Sequence, residues 1–266
     1  RFRYAQHGCL FDHPELQQGN IMSVLGRAVA VALSTKSNNF VFQLGYSTAT
    51  VDVRTAALAA GWDGTKKVIA VVPTGTVICP QTPGSYGQNG IDGITVAGSF
   101  PGGVKLQIQP GASFGGSRGN GAVQGVGAQN GGNGGNGGTA LNASVAVTVD
   151  NRGTMAGAGG GGAGGAGALK PDLGILQGGG GGGGRDLFFA ADGQTSGETG
   201  YGGTYAGLGG GGGSFGAGGN NGNPSVSWDV WPGGYSPGTP GTGGNAVTGN
   251  SNITWENTGT RYGTVA

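Results

Sequence analysis

The sequence predicts a mostly β and irregular fold: a small N-terminal β-rich module with one short helix, followed by a polyglycine II helix sandwich. Three observations predict it. Residues 1–110 carry short alternating apolar stretches bounded by Gly and Pro. Glycine is then concentrated, with 14 of the 68 glycines in residues 1–110 and 54 in residues 111–266. Those later glycines form runs, separated by short apolar and aromatic inserts.

The elements of the first part follow in order. Val29, Val31 and Leu33 alternate with alanines, and Phe40, Phe42, Leu44 and Tyr46 alternate with Val41, Gln43 and Gly45. Both stretches read as strands. Asp52 is placed to cap a helix over 53–60 that Gly61 ends, with Trp62 following in a turn at Asp63 and Gly64. Residues 66–72, 76–79, 91–96 and 104–108 read as further strands. The spacing suggests a small sandwich or a wrapped sheet, with Trp62 in its core. This gives a β-rich attachment module over 1–110.

In residues 111–266 the runs 157–167, 178–184 and 209–213 and the looser tracts 115–138 and 233–249 are candidates for flexible linker or for ordered packing. Ordered packing is favoured. Three-residue-per-turn extended glycine helices make no internal hydrogen bonds, so their N–H and C=O groups point sideways. Without Cβ atoms, neighbouring helices approach until those groups pair. One helix alone loses to the backbone entropy of glycine, whereas a stack bonded on many sides does not. The inserts become loops at the ends of the stack, and Trp255 reads as structural, in a closing strand.

Composition excludes several classes. The net charge is +1 and charged residues are 9% of the chain, too few for a basic nucleic-acid surface. Collagen is excluded because no Gly-X-Y period holds along the chain. No apolar run reaches the ~18 residues of a membrane span, and the longest, 21–33, is broken by Arg27. Cys9 and Cys79 are either one bridge or two unrelated thiols. His7, Cys9 and His13 lack a fourth ligand, so no metal is expected, and no cofactor. No glycine run ends as a P-loop, and no nucleophile elbow occurs. Asp186, Asp192 and Glu198 lie close in sequence, which alone does not make a glycosidase pair. The chain is expected not to be an enzyme.

The inserts 168–177, 185–206 and 223–237 are the candidate contact loops. Within them Arg185, Tyr201, Tyr205, Trp228, Asp229, Trp231 and Tyr235 are the expected receptor-binding residues. Trp, Tyr and Arg supply large contact area at low entropic cost. Phe188, Phe189 and Leu208 are expected to cover the glycine faces instead.

Glycine runs alternating with short variable inserts resemble the tip adhesin of T-even-type phage long tail fibres. The stretch 54–64 (Arg-Thr-Ala-Ala-Leu-Ala-Ala-Gly-Trp-Asp-Gly) is similar to one that precedes glycine-rich tracts in phage tail and prophage proteins. The ending 252–263 is similar to the C-terminal strand of such proteins. The resemblance covers residues 51–266. It implies stacked polyglycine II helices whose loops grip a host outer-membrane protein or surface glycan. It also implies other tail-fibre subunits or further copies of the chain as partners, and a place at the virion tail tip or outside the cell. Two rival expectations are a structural subunit of an extracellular filament or surface layer, and an ice-binding protein.

Overall fold

The computed structural model describes residues 38–81, 84–126, 129–170, 174–176, 178, 180–188, 206–225 and 235–266. The strand expected around Val29, Val31 and Leu33 lies outside them. The described chain is mostly β, with one helix longer than a single turn. Its strands are β1 Asn39–Gln43, β2 Val51–Asp52, β3 Lys67–Val72, β4 Val77–Ile78, β5 Ile94–Val96, β6 Val104–Ile108, β7 Ser113–Gly115 and β8 Leu141–Ala143. They continue with β9 Val147–Asn151, β10 Thr154–Ala156, β11 Ala168–Lys170, β12 Gly174–Leu176, β13 Val247–Thr248, β14 Ile253–Asn257 and β15 Thr260–Tyr262.

Apart from the antiparallel β11–β12 hairpin, every pairing is parallel. The sheets run β1-β3-β6-β9-β14, β4-β7-β10-β15 and β2-β5-β8-β13. The chain visits these three faces in turn and starts the next coil beside the last, so the expected wrapped sheet is a three-faced parallel coil. Alternation aims every second side chain inward. Phe42, Ala70, Leu106, Val149 and Trp255 are successive partners on the first face. Ile78, Phe114 and Met155 stack on the second, and Val51, Ile94, Leu141 and Val247 on the third. All but Trp255 belong to one buried core, against which Trp255 packs half-buried.

The helix α1, Val53–Ala59, sits where the chain passes from the third face to the first. Asp52 accepts the Thr55 N–H at 2.7 Å, and Gly61 takes φ +96° where the chain leaves the helix, as the local sequence predicts. Trp62 is buried and donates through Nε1 to the Lys66 carbonyl at 2.8 Å.

Strands on either side of residue 110 belong to the same sheets: β6 pairs with β9, β5 with β8 and β4 with β7. The glycine tracts are excursions from this coil. They leave at one corner, between the second and third faces: between β4 and β5, between β7 and β8, and between β10 and β13. The first face lies opposite that corner.

The longest unbroken segment, 157–167, shows how the excursions are held. Ala158, Gly161, Gly164 and Gly167 donate to the carbonyls of Gly138, Gly135, Gly132 and Gln129 at 3.1, 2.8, 3.0 and 3.1 Å. Gly159 and Gly162 donate to Arg185 and Gly182, while Gly160, Ala163 and Ala166 donate to Ala217, Asn220 and Asn223. In return, Gly119, Ala122 and Gly125 donate to Gly159, Gly162 and Gly165. Gly213, Gly210 and Gly207 donate to Gly160, Ala163 and Ala166, and Gly244, Gly241 and Gly238 donate to Ala158, Gly161 and Gly164. One segment thus has six neighbours, three reached by its N–H groups and three by its carbonyls. Bonds to any one neighbour recur every third residue. A backbone with three residues per turn gives this result, because each residue points its polar groups 120° from the last.

Candidate functional site

The six neighbours have two shared ends. The near end touches the coil: Gly157 donates to the Tyr262 carbonyl of β15 at 2.9 Å, and Gly244 leads through Asn245 and Ala246 into β13. The far end lies beyond the corner, away from the first face. There Gly125 donates to Gly165, Gly207 to Ala166 and Asn223 to Leu208, at 2.9, 2.9 and 2.7 Å. The β11–β12 hairpin turns the chain at this end, immediately after Gly167.

The connection after Asn223 also leaves from the far end. Its base is closed by a reciprocal pair: Ser225 N–H donates to the Tyr235 carbonyl at 3.2 Å, and Tyr235 N–H donates to Ser225 Oγ at 3.0 Å. Ser225 is buried. Three aliphatic side chains near this end are exposed, Val123 at 46%, Val126 at 39% and Leu208 at 41%. Leu208 was expected to cover a glycine face, yet its exposure places it among the far-end surface residues.

Of the residues expected from sequence, the two described ones, Arg185 and Tyr235, lie at opposite ends. Tyr235 is at the far end, in the clasp just described. Arg185 is at the near end, where its N–H donates to Gly213 at 3.0 Å and its guanidinium lies 4.8 Å over the Phe215 ring. Phe215 stacks on Tyr262 of β15 at 5.5 Å, so Arg185 packs against the coil side of the glycine segments. Its Nε is buried without a hydrogen-bond partner among the described residues. Phe188, expected as a cover, lies 5.7 Å from the exposed ring of Tyr46 on the coil. Tyr201, Tyr205, Trp228, Asp229, Trp231 and Phe189 lie outside the described residues. Ala206, next after Tyr205, is buried at the far end beside Gly207.

Of the groups weighed for chemistry, Asp192 and Glu198 lie outside the described residues, and Asp186 and Cys79 have structural partners. Asp186 is buried and accepts the Phe188 N–H at 3.0 Å and the Arg118 N–H at 3.4 Å. Cys79 is buried, with its Sγ 3.5 Å from the Gly116 carbonyl. Burial, helped by the charge of Asp186, pushes its thiol up to about 12, so it stays protonated and unreactive. No group of three or more His, Cys, Asp and Glu side chains converges among the described residues. No helix among them is long and apolar enough to cross a membrane. His7, Cys9 and His13 lie outside the described residues.

One feature escaped the sequence reading. Residues 130–138 repeat Asn-Gly-Gly three times, and 236–242 follow Ser/Thr-Pro-Gly. A local period of three does hold there, and it marks two neighbouring segments. Gly131, Gly134 and Gly137 donate to Ser236, Thr239 and Thr242 at 3.1, 2.9 and 2.8 Å.

Residues 38–266 match the family model described as phage tail fibre adhesin Gp38. Among solved structures, the chain is similar to the gp37–gp38 adhesin tip complex of the bacteriophage S16 long tail fibre. The identity there is 19% and the TM-score 0.46, over 85% of this chain and 82% of that one. No curated protein matches.

Proposed function

The chain belongs to the Gp38 family of phage tail fibre adhesins, and from that premise we propose that its far-end loops are what meets the host surface. An adhesin of this family serves host recognition from the tail fibre of the virion, a binding role without chemistry. Membership also decides between the rival expectations, since neither a filament subunit nor an ice-binding protein is described by that family.

The observation that carries the reading is the six-neighbour bonding of 157–167 at a period of three. It supports a polyglycine II lattice, since a three-residue turn with pairing only to neighbours is that conformation's signature. A lattice of this kind is stiff, and it holds its far end roughly 30 Å from the coil at about 3.1 Å per residue. The inserts 168–177 and 223–237 then leave from the end that points away from the first face of the coil. In this reading Trp228, Asp229, Trp231 and Tyr235 form the main receptor contact, with Tyr201 and Tyr205 beside them. Arg185, at the near end, braces the lattice against Phe215 and is set apart from that contact. The coil is the attachment part, joined to another tail-fibre subunit as gp38 is joined to gp37 in the S16 complex. The host component is an outer-membrane protein or a surface glycan.

The test is the double variant Trp228→Ala and Trp231→Ala. Host adsorption should be lost while the thermal unfolding midpoint is unchanged. Wild-type adsorption by a correctly folded double variant refutes the loop assignment.

A further inference from the structure

Three asparagine side chains do something that the backbone lattice does not require. Asn130, Asn133 and Asn136 each offer Oδ1 to a backbone N–H of the neighbouring segment: those of Ser236, Thr239 and Thr242, each at 2.9 Å. The carbonyls of these same three residues accept from Gly131, Gly134 and Gly137. Each Asn-Gly pair therefore grips both polar groups of one residue. The segments 130–137 and 236–242 run parallel, and in this pairing the backbone of the first takes no N–H from the second. The asparagine oxygen supplies the missing acceptor.

Glycine runs need such a device. A run presents the same face every third residue, so sliding it by one repeat keeps almost every bond. Glycine-rich pairings are weakly specified in register for this reason. Residues 236–244 break the degeneracy because their three phases differ chemically. Ser236, Thr239 and Thr242 donate to asparagine, while Gly238, Gly241 and Gly244 donate to Gly164, Gly161 and Ala158 at 3.0, 2.8 and 2.7 Å. Pro237 and Pro240 occupy the remaining phase and have no N–H to place. A slip by one or two residues sets a proline against an acceptor. A slip by three restores the phases but drags the Ser225–Tyr235 clasp by about 9 Å, three residues at ~3.1 Å each.

We infer that Asn130, Asn133 and Asn136 are positioning residues that lock 236–244 in one register and so fix the Ser225–Tyr235 clasp at the far end. This inference rests on the reading that the far-end loops meet the host. The test compares two triple variants of the full chain. Asn130→Ala with Asn133→Ala and Asn136→Ala removes the three oxygens, whereas the Asn→Asp triple keeps an acceptor at each position. Hydrogen exchange is read at the amides of 236, 239 and 242, with those of 238, 241 and 244 as internal references. Adsorption to host cells is measured alongside, and the unfolding midpoint shows that the coil is intact.

In the Ala triple the first three amides should exchange at least ten-fold faster relative to the references, and adsorption should fall at least ten-fold. The Asp triple should restore both. Unchanged protection at 236, 239 and 242 in the Ala triple overturns the inference. Lost protection with full adsorption overturns it too. In that case the Trp228/Trp231 double variant tells which idea failed: if it no longer adsorbs, only the register role falls, and if it adsorbs normally, the loop reading falls with it.

Discussion

Within the glycine run 178–184, chemically identical residues should respond oppositely to the same substitution. A Cβ built on Gly181 would lie 2.6 Å from the carbonyl carbon of Gly162 and 2.8 Å from the Ala122 nitrogen, both backbone atoms of neighbouring segments. Relief requires those segments to move by about an ångström, since overpacked interiors yield only by shifting backbone. The bonds at stake are Gly181 N–H to Ala122 at 3.0 Å and Gly162 N–H to Gly182 at 2.7 Å, with Gly182 N–H to Gly210 at 2.9 Å beside them. Two or three lost bonds at about 1 kcal/mol each, plus about 1–3 kcal/mol of overpacking, outweigh the ~0.4–1 kcal/mol that alanine contributes by restricting the unfolded chain. Gly181→Ala should therefore cost about 3–5 kcal/mol. At Gly183 the nearest atoms to a new Cβ belong to the flexible Arg118 side chain at 3.8 Å, and φ there is not positive. Only the unfolded-state term remains, so Gly183→Ala should stabilise by about 0.4–1 kcal/mol. For a chain of this size the two midpoints should move about 6–20 °C down and about 1–4 °C up. Thermal unfolding followed by circular dichroism reads both. Equal shifts, or a tolerated Gly181→Ala, would refute the close packing of backbones.

Two further predictions concern pH. Because burial pushes the folded Cys79 thiol up from its ordinary 9.0 to about 12, the stability tied to it is complete below about pH 9 and lost as pH rises toward 12. Cys79→Ala should flatten that alkaline fall of the midpoint, and alkylation at pH 8 followed by mass spectrometry should find Cys79 unmodified until the chain unfolds. At Asp150, burial works against ionisation. Hydrogen bonds from Arg152 at 3.0 Å and Asn257 at 2.7 Å, with the charges of Arg152 and Lys105, outweigh it and hold the carboxyl below its usual range. Its contribution is therefore present at neutral pH and lost as pH falls below about 4. Asp150→Asn should flatten the acid limb of a midpoint-against-pH curve, and an unchanged limb would show that the carboxylate does not tie β14 to β9.

The parts of the fold legible in the sequence were those set by local chemistry. Asp52 and Gly61 marked both ends of α1, local composition located β3 and β6 to within a residue, and alternation located β1 but carried it three residues past its end at Gln43. Alternation says which side of a strand is buried and leaves its neighbours open, so Phe42 above Ala70 above Leu106 reads equally as a sandwich or a coil. Composition marked where glycine begins and could not show that the chain returns to the coil after each excursion, as β8 and β13 do. Arg185 was grouped with Tyr201 and Tyr205 by nearness in sequence. In the structure Gly159 takes its carbonyl and Phe215 its guanidinium, and both lie at the coil end. The Asn-Gly-Gly repeat was visible, but its use depends on a segment 106 residues later, and no spacing within 130–138 announces that partner.

The division of labour in this chain follows from which atoms do the holding. In the coil, side chains such as Phe42, Leu106 and Phe114 supply the cohesion, so a loop placed there would have to respect a packed interior. In the glycine segments the backbone supplies it, and an inward-facing position such as Gly181 admits no side chain at all. In the proposed reading, what a host distinguishes is thereby pushed out of the glycine segments, to their ends and to the rare positions that carry a side chain. The lattice in turn cannot recognise anything, because one glycine face is like the next. Register is then one property of the glycine segments on which the proposed role of the loops depends, and three asparagines and two prolines on neighbouring segments bear on it.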